Sequence, residues 1–266
     1  MPSYVVVGAS RGLGYAWLQN LSASPSNTVV GLVRTPGPVI DQLTSDKISN
    51  VHVLPADLAD HVSLKAAAAE VSKLTNGSVD YLIVNGAYMN HTTANLTPTA
   101  LIGKEELLQE EMRRNVDVNL TGPMFAINAF LPLVRKSSIK KIIVLSTGLA
   151  DPVGTKEGGL ASAVAYSSIK AALNMVVVKY ALELKEEGIV VLALSPGVIN
   201  TRLDTPSEEE MAGMMDMMKR FQLKYPHWTG PMKAEESVAM QKDVIEKITI
   251  EESGEFLSHK GNKEWL

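Results

Sequence analysis

The chain has 266 residues, of which 45% are hydrophobic and 20% charged, and its formal net charge is −4. This size and composition suit one α/β domain with a large core, and the weak negative charge gives no reason to expect nucleic acid or an anionic membrane as a partner. The absence of cysteine excludes disulfides and thiolate metal ligands. We therefore expect a single domain over residues 1–266, with no metal.

Neither terminus carries a recognisable targeting signal. The N-terminus has no basic region before its short apolar run, and no stretch approaches the roughly 18 apolar residues that span a bilayer. The last residues, K-E-W-L, match no retention or peroxisomal signal. These features favour a cytoplasmic location.

Short apolar runs alternate with longer amphipathic runs along the chain. The apolar runs do not alternate with polar residues, so they predict strands that are buried on both faces, as in a parallel sheet. The predicted strands are Tyr4–Gly8, Thr28–Val33, Val51–Leu54, Tyr81–Asn85, Lys141–Ser146 and Ile189–Ser195. The predicted helices are Leu13–Leu21, Ser63–Thr75, Lys104–Asn115, Asp117–Lys136 and Ala163–Glu187. Repeated strand–helix units predict an α/β fold with a doubly wound parallel sheet and helices on both faces.

Three glycines, Gly8, Gly12 and Gly14, follow the first predicted strand and open the first helix. Glycine permits a tight turn there and lets backbone N–H groups approach a pyrophosphate at the positive end of the helix. The spacing G-x-x-x-G-x-G differs from the usual G-x-G-x-x-G fingerprint, and a glycine turn can also join a strand to a helix without a ligand. The strand–turn–helix context favours a dinucleotide site.

The second predicted strand leads into Arg34 and ends without an acidic residue. An acid near this point binds the ribose 2′-hydroxyl in NAD-selective sites, whereas an arginine accommodates a 2′-phosphate. Arg11, inside the glycine turn, adds a second cation, although both arginines are also compatible with an ordinary solvated surface. The pattern favours NADP(H). Further candidate cofactor contacts, which are equally compatible with plain turns, follow the third and fourth strands: Asp57, Leu58, Asn85, Gly86 and Ala87.

Tyr166 and Lys170 lie four residues apart, on one face of a predicted helix. Tyrosine titrates near 10, so bringing its pKa to about 7 takes roughly 4 kcal/mol of preferential stabilisation of the phenolate. A lysine one turn away, helped by a nicotinamide ring and a helix N-terminus, is a source of that stabilisation. Such a tyrosine gives a proton to a carbonyl oxygen as hydride reaches the carbon. The pair alone is common on ordinary helices.

Two further motifs surround this pair. Ser146 and Thr147 follow the fifth strand, where a hydroxyl can hold the substrate oxygen. The turn Ser195–Thr201 follows the next strand and can cap a nicotinamide carboxamide. Their order along the chain makes a coincidence improbable, and together they predict a proton-transfer site next to a nucleotide site.

With these motifs the chain resembles the short-chain dehydrogenase/reductase family from Tyr4 to about Thr201. The motifs are G-A-S-R-G-L-G at Gly8–Gly14, D-L at Asp57–Leu58, N-G-A-Y at Asn85–Tyr88, V-N-L-T-G around Asn119, S-T-G at Ser146–Gly148, Y-S-S-I-K at Tyr166–Lys170 and P-G-V-I-N-T at Pro196–Thr201. The resemblance implies a Rossmann-type fold and a catalytic tetrad of Asn119, a hydroxyl residue, Tyr166 and Lys170. It also implies that Asn119 holds a water linking Lys170 to solvent.

The resemblance is to the NADP-preferring branch of the family, including its carbonyl reductases. It implies that Lys170 contacts the nicotinamide ribose and that Thr201 contacts the carboxamide or the pyrophosphate. The full set of implied cofactor contacts is Gly8, Ser10, Arg11, Gly12, Leu13, Gly14, Arg34, Asp57, Leu58, Asn85, Gly86, Ala87, Tyr166, Lys170, Pro196, Gly197, Ile199 and Thr201.

The chain departs from the family pattern at three places. Tyr88 stands where the family usually has a glycine, and it either narrows the pocket or supplies an aromatic wall. Thr147 aligns with the usual catalytic serine, although Ser146 can substitute for it. About 19 residues separate Thr147 from Tyr166, several more than is typical, and the extra loop should border the substrate cleft.

Residues 203–231 break the strand–helix rhythm and contain five of the 12 methionines. Methionine adapts to irregular surfaces, so the segment is either a lid over an apolar substrate or a surface helix docked on the core. We favour the lid, because the segment follows the residues that carry the chemistry.

The main hypothesis is an NADPH-dependent reductase of a ketone, aldehyde or imine on a bulky apolar small molecule. One alternative is a family member that binds NADP(H) but catalyses a cyclisation or rearrangement of a secondary metabolite. Another is a non-catalytic NADP(H) sensor, which would be expected to lose Tyr166 or Lys170. Family members commonly pair through the helix corresponding to Ala163–Glu187, so a homodimer or homotetramer is expected.

Overall fold

The computed structural model of the protein describes residues 1–200 and 205–266. These residues form one sheet of seven parallel strands. The strands are β1 (Ser3–Val7), β2 (Thr28–Val33), β3 (Val51–Pro55), β4 (Tyr81–Val84), β5 (Lys141–Leu145), β6 (Val190–Ser195) and β7 (Phe256–Ser258). Their order across the sheet is β3-β2-β1-β4-β5-β6-β7. The predicted doubly wound parallel sheet is confirmed.

Helices cover both faces of the sheet. They are α1 (Gly12–Ser22), α2 (Pro36–Ser45), α3 (His61–Leu74), α4 (His91–Ala94), α5 (Glu105–Asn115), α6 (Gly122–Val134), α7 (Pro152–Glu157), α8 (Val164–Leu184), α9 (Glu208–Lys224) and α10 (Ala234–Lys247). A π-helical turn, Val116–Thr121, joins α5 to α6. None of the helices in the described part of the chain is long and apolar enough to cross a membrane.

The two faces of the sheet have separate apolar cores, which explains why the strands lack a polar alternation. Val5 and Val7 of β1 pack on the side of α3, α6 and α8. Tyr4 and Val6 pack on the opposite side, against α1, α2 and α10. Full burial of a Val or Leu side chain stabilises the fold by about 1.5–3 kcal/mol, so a strand buried on both faces is apolar throughout.

The direction of winding reverses between β1 and β4, and this point positions the candidate site. In the register of the two strands Val7 lies opposite Val84, so their loops start side by side at Gly8 and Asn85. The Asn85 N–H donates to the Val7 carbonyl at 3.0 Å. A crevice at the carboxyl ends of strands, where the winding reverses, is where doubly wound folds bind ligands.

The structure contains elements that the sequence patterns did not predict. The strand β7 has three residues and pairs with β6, and α10 packs on α1. The helix α2 begins at Pro36, in a Pro-Gly-Pro run typical of a turn. Proline at the first helical position is nevertheless favourable, since its missing N–H would have no helical partner there.

Candidate active site

The glycine turn after β1 packs directly against the loop after β4. Gly8 has φ +83°, and a Cβ added to it would lie 2.4 Å from the Cα of Gly86. A Cβ on Gly14 would lie 2.1 Å from the Gly8 carbonyl oxygen. Any larger residue would therefore push the two loops apart. The N-terminus of α1 has no side-chain cap, which leaves its first N–H groups available to a phosphate.

Asn85 links the two loops and leaves one buried acceptor without a partner. Its Nδ2 donates to the Gly8 carbonyl at 2.8 Å, while its Oδ1 accepts no hydrogen bond from the described residues. A buried polar atom without a partner is costly, so this atom suits a ligand donor in the crevice. Leu58 packs nearby, within 3.2 Å of the position that a Cβ on Gly86 would take. Asp57 turns its carboxylate to the Ala59 N–H at 3.0 Å. The crevice fits a dinucleotide on these observations.

Two exposed arginines stand at the carboxyl ends of neighbouring strands. Arg11 lies in the turn after β1, and Arg34 follows β2 directly. Neither forms an ion pair with another residue in the described part of the chain. An anion near the ribose would therefore meet two guanidinium groups that have no carboxylate partner among the described residues.

Tyr166 and Lys170 lie one turn apart near the start of α8. The Lys170 side chain is 1% exposed, and its Nζ lies 5.9 Å from the centre of the Tyr166 ring. Its Nζ also donates to the Leu145 carbonyl at the end of β5, at 2.7 Å. This hydrogen bond fixes the Lys170 side chain between α8 and the sheet.

Burial shifts the pKa of both groups toward their neutral forms. It lowers the pKa of Lys170 to about 7 and raises the pKa of Tyr166 to about 12. The sequence analysis expects a lowered Tyr166 pKa when the lysine acts together with a bound nicotinamide, and this stays a prediction; in the chain alone burial raises the pKa of Tyr166. The reason is desolvation, which disfavours the phenolate and also weakens the lysine charge that would stabilise it.

The two candidate hydroxyl residues have different surroundings. The Ser146 side chain is buried, and its Oγ donates to Oδ1 of Asn174 at 2.7 Å. The Thr147 Oγ1 accepts the Leu149 N–H at 3.3 Å and so caps the short helical turn Gly148–Ala150. Thr147 also lines a cleft with about 450 Å³ of open space. The Thr147 hydroxyl hydrogen remains available to a substrate, whereas the Ser146 hydroxyl is engaged within the protein.

Asn119 is fully buried in the π-helical turn, a feature that often marks functional sites in helices. Its Oδ1 accepts the Tyr88 N–H at 2.8 Å, and its Nδ2 donates to the Tyr88 carbonyl at 2.7 Å. The Nδ2 also donates to Oδ1 of Asn115 at 2.7 Å. The side chain is therefore held by three hydrogen bonds to α5 and to the loop after β4.

Comparisons with known proteins agree with this architecture. The short chain dehydrogenase family model matches residues 3–212. The short-chain dehydrogenase/reductase AacuF of Aspergillus aculeatus is 42% identical over 268 residues, which cover 100% of both chains. The relative atnB of Arthrinium sp is 40% identical, again over 100% of both chains. The chain belongs to the short-chain dehydrogenase/reductase family.

Solved structures place this family member next to carbonyl reductases. The NADPH-bound carbonyl reductase from chicken fatty liver is 27% identical, with a TM-score of 0.77 over 98% of both chains. The carbonyl reductase Sniffer of D. melanogaster has the same TM-score over 98% of both chains and 19% identity, so it supports the fold alone. The predicted Rossmann-type fold and the resemblance to family carbonyl reductases are both confirmed.

The turn after β6 belongs to the same edge of this dehydrogenase/reductase fold. Gly197 has φ +82°, and the Pro196 carbonyl accepts the Ser237 hydroxyl at 2.7 Å. Ile199 forms an isolated parallel bridge with Met232. Thr201, the last predicted cofactor contact, lies outside the described residues. The remaining predicted residues of the glycine turn, Ser10, Gly12 and Leu13, lie at the N-terminus of α1.

The extra loop between Thr147 and Tyr166 lines the cleft that contains Thr147. Residues 152–157 of this loop form α7, and its wall is completed by Trp265, which the sequence analysis missed. The Trp265 indole stacks on Phe256 with ring centres 4.3 Å apart, and its N–H donates to Asp151 at 2.9 Å. A Cβ on Gly154 would lie 2.9 Å from this indole. The C-terminal tryptophan thus fixes the loop.

We expect Trp265→Phe to loosen this wall. The variant keeps an aromatic ring against Phe256 but loses the hydrogen bond to Asp151, whose Oδ2 still accepts the Gly154 N–H. The free energy of unfolding should fall by about 0.5–1.5 kcal/mol, the usual contribution of one hydrogen bond. Urea unfolding of both single variants and of the double variant with Asp151→Ala measures the coupling. Strict additivity would contradict the role of this hydrogen bond.

The helix α9 lies within residues 203–231, of which residues 205–231 are described, and it lines the cleft of Thr147. Near its start, the Asn95 Nδ2 donates to a backbone carbonyl of α9 at 3.4 Å. Near its end, Arg220 donates to the Gly159 carbonyl at 3.2 Å, and Lys224 pairs with Glu157. Phe221 of α9 is buried and lines the cleft of Thr147. Methionines 211 and 215 are exposed.

Proposed function

We propose that this family member is an NADP(H)-dependent oxidoreductase that reduces a ketone, aldehyde or imine. The observation that carries the proposal is the buried Lys170 one turn from Tyr166, held on the Leu145 carbonyl at 2.7 Å. A fully buried lysine beside a tyrosine is costly, and a catalytic proton site accounts for that cost. The glycine turn and the unpartnered Asn85 Oδ1 at the same edge support a dinucleotide partner.

In the proposed reaction each side chain has one task. The bound nicotinamide supplies the hydride. The Tyr166 hydroxyl donates its proton to the substrate oxygen or nitrogen, and the Thr147 hydroxyl donates a hydrogen bond to the same atom. Lys170 then returns a proton toward Tyr166, and Asn119 orients the water that connects Lys170 with solvent. Because the pKa of Lys170 is about 7, this lysine can exchange a proton near neutral pH.

The protonation state of Tyr166 depends on its burial and on the positive charge of an oxidised nicotinamide. Burial raises that pKa to about 12, so in the reductive direction the hydroxyl is protonated at neutral pH. In the oxidative direction the phenolate is required, and a cationic ring beside it would favour that form. We therefore propose that Tyr166 is already in its proton-donating form at pH 7 when the reduced cofactor binds.

Substrates of this enzyme are proposed to be bulky and apolar. Beside Tyr166 a cleft with about 380 Å³ of open space is lined largely by apolar residues, among them Leu101 and Leu108. The cleft of Thr147 has about 450 Å³ and is lined by Phe221, Tyr225 and Trp265. Phe221 of α9 lines the cleft of Thr147, which supports the proposal that residues 203–231 form a lid.

The arginines Arg11 and Arg34 support a preference for NADPH, as does the 27% identity to an NADPH-bound carbonyl reductase. We expect Arg34→Gln to raise the KM for NADPH by about 10–100-fold, since a hydrogen bond to a charged group contributes about 1.5–3 kcal/mol. The KM for NADH should remain within about twofold, because NADH lacks the phosphate. Steady-state kinetics with both cofactors measures the difference. An equal rise for both cofactors would contradict the assignment.

The experiment that tests the function follows reduced-nicotinamide absorbance with a panel of bulky ketones, aldehydes and cyclic imines. Turnover with NADPH supports the proposal, and the best substrate defines the chemical class. Tight binding of NADPH without redox turnover would oppose it. Conversion of a substrate with no net NADPH oxidation would then indicate a cyclisation or rearrangement, and binding alone would indicate a sensor.

We also propose that the chain forms a homo-oligomer through α8. Met175 and Leu182 on this helix are 58% and 68% exposed, and their spacing of seven residues places them on one face of the helix. Covering them with a second copy would remove this surface from water. Sedimentation of wild type and of Leu182→Glu tests the proposal, and a monomeric wild type would contradict it.

A further inference from the structure

Glu111 is a buried carboxylate that the proposed reaction does not use. It belongs to α5 and is 5% exposed, at the edge of the cleft of Tyr166. Its Oε1 accepts the Tyr88 hydroxyl at 3.0 Å and the Asn90 Nδ2 at 2.7 Å. Its Oε2 accepts the Thr93 hydroxyl at 3.1 Å. No ion pair joins Glu111 to a cation among the described residues, so neutral donors alone compensate its burial.

The hydrogen bonds of Glu111 belong to a closed ring of four residues. Glu111 holds the Tyr88 hydroxyl, and the Tyr88 backbone exchanges two hydrogen bonds with the Asn119 side chain. Asn119 donates to Asn115 at 2.7 Å, and Asn115 donates back to the Glu111 carbonyl at 2.9 Å. The ring connects α5, the loop after β4 and the π-helical turn.

The ring holds Tyr88 at two points, its side-chain hydroxyl and its backbone. The hydroxyl at the tip of the side chain is held by Glu111, and the backbone is held by Asn119. The Arg114 guanidinium lies 5.8 Å from the centre of the Tyr88 ring and forms a third contact. A hydrogen bond to a charged acceptor is stronger than one between neutral groups, so the carboxylate fixes this arrangement more firmly than an amide would.

We propose that Glu111 and Tyr88 are positioning residues that hold the Asn119 side chain for the proton relay. This inference rests on the proposed reductase function. In the family pattern a glycine usually stands at the position of Tyr88, and a glycine offers no side chain to anchor. In this chain Tyr88 therefore connects α5 to Asn119 through its hydrogen bonds, and it is not only a wall of the pocket.

The kinetic test compares Tyr88→Phe and Glu111→Gln with wild type. Each change removes the charged hydrogen bond and preserves the shape, and we expect kcat to fall about tenfold. In Tyr88→Phe the KM for substrate and the Kd for NADPH should stay within about twofold, because Tyr88 lines neither cleft. Glu111 lines the cleft of Tyr166, so for Glu111→Gln the criterion is kcat alone. The kcat of the double variant should equal that of the less active single variant, because both changes break the same ring. In an Asn119→Ala background, Tyr88→Phe should have no further effect.

The control is Thr93→Val, which also removes a hydrogen bond to Glu111 but lies outside the ring. Because Thr93 lines the cleft of Tyr166, the comparison is made in kcat at saturating substrate and not in KM. It should keep kcat within about twofold. If Thr93→Val lowers kcat as much as Tyr88→Phe, the carboxylate serves general stability and the proposal is wrong. A kcat of Tyr88→Phe equal to that of wild type would also overturn the proposal, even if kcat/KM fell.

A second readout does not depend on turnover. The Tyr88 amide donates to Asn119, so its hydrogen exchange reports the ring directly. We expect exchange at this amide to be about tenfold faster in Tyr88→Phe and unchanged in Thr93→Val. If no substrate is reduced but this exchange pattern is found, the reductase function fails while the ring stands. If turnover is found and exchange is unchanged in Tyr88→Phe, the ring fails while the function stands.

Discussion

Tyr166→Phe should lower kcat for reduction by about 10²–10⁴-fold, the usual range for loss of a positioned general acid. The variant keeps the ring that faces the Lys170 ammonium but has no proton to donate. The Kd for NADPH should change by less than about tenfold, because one neutral hydrogen bond contributes about 0.5–1.5 kcal/mol. Single-turnover absorbance at saturating NADPH separates the chemical step from binding.

Tyr180→Phe is the matched control for this change. Tyr180 lies on the same helix, and its hydroxyl donates to Asn128 at 2.8 Å, outside the residues that line either cleft. Its loss should leave kcat within about twofold. If Tyr166→Phe retained more than about a tenth of the wild-type kcat, another group would be the acid, and Thr147 would be the first to examine.

The strands were predictable because burial on both faces of a parallel sheet leaves a direct trace in the sequence. The six predicted strands agree with β1 to β6 to within one residue at each end. The strand β7 was not predictable, since its three residues are too few to carry a periodicity; in the sheet they pair with residues of β6 that lie 63 positions earlier. The helix α2 was missed because Pro36 and Pro38 suggest a turn. Proline is, however, well tolerated in the first turn of a helix.

The site was predictable where a local turn requires a particular residue type. It was less predictable where the arrangement depends on contacts between segments that are distant in sequence. Gly8 and Gly14 are required by the close contact of two loops, and their motif reveals it. The ring through Glu111 was missed, because it joins side chains from three segments whose spacing has no local signature. The rise of the Tyr166 pKa in the chain alone was not predictable either. Four-residue spacing shows that the lysine is near, but it does not show that the lysine is fully buried.

Lys170→Met should abolish turnover and at the same time change how stability depends on pH. The pKa of Lys170 is lowered by burial from 10.5 to about 7. Between these values the unfolded chain binds a proton that the folded chain has released, so this lysine costs stability increasingly as pH falls from 10.5 toward 7. Below about pH 7 the cost is constant. Methionine has a similar length and no charge, and it removes this dependence.

The expected result is a wild-type free energy of unfolding that rises relative to Lys170→Met as pH increases from 7 to 9. The slope is at most about 1.4 kcal/mol per pH unit for one proton, so the relative gain over these two units should be about 2 kcal/mol. The absolute difference at pH 7 also contains the loss of the hydrogen bond to the Leu145 carbonyl, which acts in the other direction. The pH dependence is therefore the informative quantity.

Urea unfolding at several pH values measures this difference, with Lys179→Met as the control for removing an exposed ammonium from the same helix. A difference between wild type and Lys170→Met that stays constant from pH 7 to 9 would show that the lysine does not release its proton in the folded chain. Loss of turnover with that constant difference would make Lys170 a fixed cation that orients the substrate site. A pH-dependent difference together with loss of turnover identifies it as the group that exchanges protons with Tyr166.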